Sequence, residues 1–327
     1  MKTELLAMLR ESGDFYSGQE LCEHFGVSRT AIWKRIRQLQ DEGYEIEAVK
    51  NKGYRLAACP DSIAADEVES RLESDWVVRP VHYFSVIDST NNYCKRIAED
   101  GAPEGSLVIA DEQTAGKGRR GRKWETPPGT AVAFTLLLRP ETVPPEKIAM
   151  VTLIMGLAVA RAVRKLYGLD AGIKWPNDAV IGGKKLCGIL TEMTTDLMSV
   201  SYVVIGTGIN ANVKSFPEEL KDTATSLAVE LGHDVVRSEL IAEVVGSFEK
   251  FYKKFLQTCD LSLLQDEYNE LLLNKDRTVR VLEPGNEYTG LALGIDKEGQ
   301  LLVKREDGSV TAVYAGEVSV RGVYGYV

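Results

Sequence analysis

An α+β fold in three parts is predicted by three features of the sequence. A helix-turn-helix pattern with a following hairpin opens the chain, strand and helix signals mix through the middle, and short strands separated by turn dipeptides close it. The parts expected are a winged helix-turn-helix over residues 1–62, a mixed α/β domain over 63–273 and a small SH3-like β-barrel over 274–327. A chain of 327 residues is long for one core, and 44% hydrophobic with 27% charged residues is a globular composition.

Leu5, Leu6 and Leu9 stand at helical spacing before Gly13, which ends a first short helix. SGQELCEHFGVSRTAIWKRIRQLQDEG then reads as a helix from about Gln19 to Phe25, a turn at Gly26 and a second helix that Ser28 N-caps. Ile32, Ile36 and Leu39 form its inward stripe, which leaves Arg29, Thr30, Trp33, Lys34 and Arg37 outward. YEIEAVKNKGYRL gives two strands around Asn51, Lys52 and Gly53, the wing of a winged helix. Residues 27–55 hold seven Lys/Arg against four Asp/Glu, a local +3 in a chain of net charge -9. Nucleic-acid binding is therefore confined to this module, with Ser28, Arg29, Thr30, Trp33, Lys34, Arg37 and Lys52 as its DNA-contacting residues. The competing reading is a winged helix that docks proteins. Cys59 to Asp66, with a proline, small residues and acids, is the expected linker.

The apolar run Ile148 to Ala160 is shorter than the roughly 20 residues of a membrane span, and the charged N-terminus is no secretion signal, so a cytoplasmic protein without a membrane partner is expected. Five scattered cysteines without a CxxC pair and three histidines without ligand spacing argue against zinc.

In the middle of the chain, SLVIADEQ reads as a strand leading into GKGRRGRKW, residues 116–124. Gly116, Gly118 and Gly121 match G-x-G-x-x-G, yet a dinucleotide loop must open into a helix and here Pro127, Pro128 and Gly129 follow. The next strand is AVAFTLLL, so the glycine loop lies between strands. Its five cations, Lys117, Arg119, Arg120, Arg122 and Lys123, repel one another, and its glycines permit close backbone approach; a phosphate-like anion that orders the loop is the expected ligand. PPEKIAMVTLIMGLAVARAVRKLYG predicts a buried helix ending at Gly168. IGGKKLCGILTEM predicts a hairpin turning at Gly182 and Gly183, with Lys185, Cys187, Ile189 and Thr191 on one strand face and Gly188 on the other. A lysine on that apolar face needs an anionic partner.

GKGRRGRKW resembles the GRGRxGRxW loop of biotin protein ligases, and IKWPND (173–178) with KKLCGIL (184–190) resembles that family's KWPND and K-[LI]-x-G-[IL]-L segments. DSTN (88–91), EQTAG (112–116) and GTGIN (206–210) match further landmarks in the same order, and with the winged helix in front the whole chain is similar to the bifunctional biotin operon repressors and ligases of bacteria. The resemblance implies a central domain of the biotin/lipoyl ligase type. It also implies two steps: biotin and MgATP give biotinyl-5'-AMP and pyrophosphate, then biotin passes to a lysine of the biotin carboxyl carrier protein of acetyl-CoA carboxylase.

For the site, the resemblance implies Arg119 and Lys185 as catalytic residues. Biotin is then held by Ser89, Thr90, Asn91, Gln113, Lys117, Gly118, Arg119, Lys185 and Gly188, and the adenylate or its phosphates by Lys117, Arg119, Arg120, Arg122, Trp124, Asn177 and Asn210. Asp178 is the implied Mg²⁺ ligand. The family has Arg where Lys117 stands, so the planar fork is lost there. For Ser89, Thr90 and Asn91 helix capping is an equally natural role.

Two helical stretches follow, about 238–257 and 260–273, and then short strands turning at Pro284-Gly285, Glu298-Gly299 and Asp307-Gly308. A DNA reader fused to an anion-ordered loop suggests that biotinyl-5'-AMP promotes a homodimer on palindromic operator DNA. The alternative in another class is a biotin-sensing repressor without catalysis.

Overall fold

The structure, a computed structural model, describes residues 1–196, 199–282, 285, 287–314 and 319–322. The N-terminal module comprises α1 (Lys2–Ser12), α2 (Gly18–Phe25), α3 (Arg29–Asp41) and a hairpin of β1 (Glu45–Val49) and β2 (Gly53–Ala58). A capping box starts α2, in which the Ser17 hydroxyl accepts from Glu20 N–H and the Glu20 carboxylate accepts from Ser17 N–H. Ser28 caps α3 through a bond from Ala31 N–H at 3.3 Å. Leu5, Leu6, Leu9, Leu21, Ile32, Ile36 and Leu39 close the module's own core, so the inward stripe stands where periodicity put it.

Next come α4 (Ala65–Glu69), β3 (Val78–Ile87), α5 (Thr90–Glu99), β4 (Ser106–Gln113), β5 (Ala131–Leu138), α6 (Ala149–Tyr167), β6 (Gly172–Lys174), β7 (Asp178–Ile181), β8 (Lys184–Asp196) and β9 (Ser199–Asn210). The seven strands form one sheet in the order β3-β4-β5-β9-β8-β7-β6, antiparallel except for the β3-β4 pair. Three helices follow: α7 (Leu227–Leu231), α8 (Arg237–Thr258) and α9 (Gln265–Leu271), the last shorter than the helical stretch expected there. The apolar helix α6 and the amphipathic α8 pack together, and the large core joins them to one face of the sheet. On the other face α5 lays Cys94 and Ala98 against Val108, Leu137 and Val204. Because both faces of β5 are covered, its eight residues are all buried and read as a continuous apolar run.

The last five strands, β10 (Thr278–Leu282), β11 (Tyr288–Ile295), β12 (Leu301–Lys304), β13 (Val310–Val313) and β14 (Ser319–Gly322), make an antiparallel sheet in the order β13-β12-β11-β10-β14. Of the turns expected here, Pro284-Gly285 falls partly outside the described residues. Val279, Val281, Ile295, Leu301 and Val303 join the same core as α6 and α8.

The stretch expected as a linker is tied down at two places. Asp61 accepts from Asn212 and Arg237, and Ile63 is buried in the large core. Just beyond it, Glu67 of α4 is fully buried and accepts from Arg10 at 3.0 and 3.1 Å, Arg71 at 2.7 Å, Tyr44 Oη at 2.6 Å and Ser238 Oγ at 3.2 Å. A lone carboxylate there would be costly, and four partner residues from both sides of the module boundary satisfy it. Glu67→Ala strands two guanidiniums, so urea unfolding should show a loss of about 3–5 kcal/mol; a loss under about 1 kcal/mol would mean that water replaces the carboxylate.

Candidate active site

The glycine loop is laced to itself. Gly118 N–H donates to the Arg122 carbonyl at 2.7 Å and Trp124 N–H to the Gly116 carbonyl at 3.0 Å. At its tip the exposed Arg120 has φ 58°, in the left-handed region that costs a non-glycine residue of order 1 kcal/mol or more. The loop lies across the sheet face beside α5, and two adjoining pockets open there. A narrow one of about 50 Å³ is lined by Ser89, Thr90, Asn91, Gln113, Gly188 and Gly206 among others. A wide one of about 350 Å³ includes Arg120, Arg122, Lys174, Asp178, Asn210 and Phe216. Gly118, Arg119, Trp124, Asn177 and Lys185 border both.

In the narrow pocket Ser89 occupies the N-cap position of α5, yet its side chain makes no capping bond. Gln113, from the end of β4, does that work: its Oε1 accepts from Thr90 N–H at 2.9 Å and Thr90 Oγ1 at 3.1 Å. The Asn91 amide is oriented by its surroundings. Its Nδ2 donates to Glu192 Oε2 at 2.8 Å, and its Oδ1 accepts from Thr135 Oγ1 at 2.7 Å. Burial works to raise the Glu192 pKa, but bonds from Lys95 and Asn91 outweigh it and hold the carboxyl below its ordinary value. Lys117 reaches Asn92 Oδ1 at 3.0 Å.

At the junction, Lys185 Nζ stands 2.6 Å from Asp178 Oδ1 and 5.7 Å from the Trp124 ring centroid. Asp178 is the anionic partner that this lysine needs. The predicted strand face is corrected here. The β7-β8 register shifts between Ala179 and Val180, pairing Ala179 with Cys187 but Val180 with Lys185, so a bulge at Leu186 breaks the alternation. Cys187 and Ile189 face the core and Thr191 bonds Thr152 of α6, whereas Lys185 shares the site face with Gly188. The bulge is held from the side, since Lys185 N–H donates to the Thr223 carbonyl at 2.8 Å and the Lys185 carbonyl accepts from Thr225 N–H at 2.9 Å.

Arg119 Nη1 donates to Asn177 Oδ1 at 2.9 Å, and Asn177 Nδ2 donates to the Ile189 carbonyl at 3.1 Å. Burial lowers the Arg119 pKa, with Asp178 opposing and Arg120 and Arg122 adding to the effect. Asn210 Nδ2 donates to the Thr225 carbonyl at 3.0 Å. Trp175 is buried and anchored by distant partners: its N–H donates to Asn274 Oδ1 and its Nε1 to the Gly299 carbonyl. Sequence reasoning missed Lys174, only 6% exposed beside the wide pocket, although a lysine inside an apolar strand was its signal. Val213, Phe216, Pro217 and Leu220 form an apolar wall of the same pocket.

Outside the cleft, the residues expected to meet DNA, Ser28, Arg29, Thr30, Trp33, Lys34, Arg37 and Lys52, are all exposed on one module. Trp33 is 51% exposed, with the Arg37 guanidinium 5.8 Å from its ring centroid.

Residues 83–210 match the Biotin/lipoate A/B protein ligase family, residues 2–55 an HTH domain and residues 276–321 the Biotin protein ligase C terminal domain. The chain is 38% identical over 325 residues to the bifunctional ligase/repressor BirA of Bacillus subtilis, covering 98% of both chains. It belongs to the family of bifunctional biotin protein ligases. The BirA of Escherichia coli is 34% identical over 319 residues, covering 97% of this chain and 96% of that one. Among solved structures, the biotin protein ligase of Aquifex aeolicus in complex with biotin and ATP superposes with a TM-score of 0.66 at 29% identity, covering 75% of this chain and all of that one.

Within this biotin protein ligase, the site depends on glycines that leave room. A Cβ on Gly208 would fall 2.4 Å from the Trp124 indole, and one on Gly206 would fall 2.1 Å from Asn91 Oδ1. Gly208→Ala should therefore displace the half-buried indole and red-shift the part of the tryptophan emission that Trp124→Phe removes. An unshifted spectrum would mean that β9 yields instead.

Proposed function

We propose that this biotin protein ligase forms biotinyl-5'-AMP from biotin and ATP and transfers biotin to a lysine of the carboxyl carrier protein of acetyl-CoA carboxylase. In this reading it also represses the biotin operon with the adenylate as corepressor. The observation that carries the reading is the junction: Arg119 and Lys185 border both pockets, where a carboxylate held in one would meet a phosphate held in the other. The DNA-reading, ligase and C-terminal roles are assigned to residues 1–62, 63–273 and 274–327.

The biotin carboxylate oxygen attacks the α-phosphorus, the new C–O–P bond forms, and pyrophosphate leaves. Two anions must approach each other, so fixed positive charge is the main help that side chains can give. Arg119 supplies a fork of donors held by Asn177, and Lys185 supplies a compact charge that can leave Asp178 for the developing acyl phosphate. Arg120, Arg122 and Lys174 add charge toward the phosphates, with Asn210 near the adenosine and Trp124 against the ring. In the second step the carrier amine attacks the acyl carbon and AMP leaves. Ser89, Thr90, Asn91 and Gln113 face the ureido ring, with Lys117, Gly118 and Gly188 completing its pocket. At about 50 Å³ that pocket is far below the roughly 300 Å³ of ligand sites, so the Trp124 indole withdraws as the ring enters.

Mg²⁺ fits as a companion of the ATP phosphates. Asp178 is a buried carboxylate beside the wide pocket, and magnesium is commonly held by one or two carboxylates plus substrate phosphate. The ion would neutralise phosphate charge, and Asp178 would hold it as Lys185 turns to the acyl oxygen. Operator DNA and the carrier both place the protein in the cytoplasm, and the adenylate favours its homodimer.

Incubation with biotin, MgATP and carrier domain, read by carrier mass, should give a biotin-sized gain. Arg119→Ala and Lys185→Ala should each slow it about 100-fold or more. Biotin binding without any mass gain would favour the repressor without catalysis. For the reader, Arg37→Ala should weaken binding to a biotin operator fragment and lower the salt slope by about 1 if the residue meets a phosphate. Unchanged DNA binding would favour a protein-docking winged helix.

A further inference from the structure

The first turn of α8 holds a buried cluster that the ligase chemistry does not use. Arg237 is only 3% exposed. Its Nη1 donates to Asp111 Oδ1 at 2.6 Å and to the Ala131 carbonyl at 3.0 Å, and its Nε donates to Asp61 Oδ2 at 2.8 Å. The Arg237 backbone N–H also donates to Asp61 Oδ1 at 3.0 Å. Asp61, from the stretch leading out of the wing, thereby caps a helix whose own N-cap residue, Val236, makes no side-chain capping bond. One residue later Ser238 donates to Glu67, which holds Arg10 and Tyr44 of the N-terminal module. Two of the ties from the DNA reader thus end on this turn.

The turn is bonded to the cleft as well. Asp111 lies two residues before Gln113 and accepts from Gly129 N–H at 3.2 Å, while Ala131 opens β5; these are the two stems of the segment that carries the glycine loop. Asp61 Oδ2 accepts from Asn212 Nδ2 at 3.1 Å, and Asn212 N–H donates to the Thr130 carbonyl at 2.5 Å. Asn210 and Val213, on either side of Asn212, line the wide pocket. A guanidinium held at this packing density between two carboxylates and a carbonyl has little slack, so displacement of one partner is felt by the others.

We propose that the first turn of α8 couples the adenylate cleft to the DNA-reading module within a single chain, with Asp61, Arg237 and Asn212 as positioning residues. Movement of residues 129–131 or 210–213 on ligand binding shifts the Arg237 guanidinium, and Asp61 passes that shift to the segment carrying the winged helix. The coupling rests on the proposed reading of the cleft and adds to it a route that needs no second protomer. Linkage makes it reciprocal: releasing Asp61 changes the affinity of the cleft for its ligand, by roughly 5-fold at the lower end of such effects.

Hydrogen–deuterium exchange of the full chain, with and without biotin plus MgATP, tests it in wild type, Asp61→Ala and Asn212→Ala. Ligand should slow exchange at residues 116–124 in all three proteins. In wild type it should also slow residues 61–65; Asp61→Ala should remove that second effect, and Asn212→Ala, which cuts only the 210–213 branch, should weaken it. A merely structural clamp would raise basal exchange at 61–65 and leave the ligand-induced difference intact. Equal slowing at 61–65 in all three overturns the coupling, as does no slowing there in wild type when 116–124 responds. Silence at 116–124 in wild type would instead sink the ligand reading, and the coupling with it. If Asp61→Ala does not fold, Asn212→Ala decides, because it keeps the Asp61–Arg237 pair.

Discussion

Three side chains are missing from the middle of the central sheet, and the site exists because of that. Gly188 on β8 and Gly206 and Gly208 on β9 leave a trough on the face that α5 only partly covers. Asn91 fills the space over Gly206, and the Trp124 indole lies against Gly208 and Gly188. A sheet with a Cβ at these positions would push away the start of α5, the glycine loop and the Lys185 side chain together. Glycine weakens a strand, and the cost is tolerable here because α6 and α8 bury the opposite face almost completely.

Charge is the second constraint. An acidic chain gathers Lys174, Arg119, Arg120, Arg122 and Lys185 around one cleft, where Asp178 is the buried carboxylate among them. Low local dielectric magnifies each interaction. It keeps Lys185 against Asp178 and tethers Arg119 through Asn177, and it makes an incoming phosphate the natural way to relieve the repulsion. The left-handed backbone of Arg120 points the same way, because strained conformations of this kind cluster where a ligand is gripped.

The module boundaries matter as much as the cleft. Glu67 and Arg237 are ionic groups buried where the N-terminal module meets the central domain, and apolar residues of similar volume would pack there without desolvation cost. What ions add is a defined geometry: each bond fixes the direction of a neighbour, and removal of one partner is felt by all. That property suits a protein in which a DNA-reading module and a ligase site are joined in one chain.

Much was legible in the sequence because it is local. Helical spacing of Leu5, Leu9, Ile32 and Leu39 fixed the N-terminal module, Pro127 and Pro128 excluded a dinucleotide loop, and the GKGRRGRKW, KWPND and KKLCGIL segments carried the family and named residues that line the cleft. The tertiary structure decided what depends on partners distant in the chain. The bulge at Leu186 turns Lys185 toward the site, and no pattern of alternation contains it, because bonds from Thr223 and Thr225 stabilise it. Ser89 looked like a cap, but Gln113 from a neighbouring strand took that role and left Ser89 facing the pocket. Asp61 read as part of a loose linker until Arg237, 176 residues away, closed on it. Periodicity and turn chemistry act over a few residues and are written into the sequence; hydrogen bonds between buried polar groups are settled only when the fold brings them within about 3 Å.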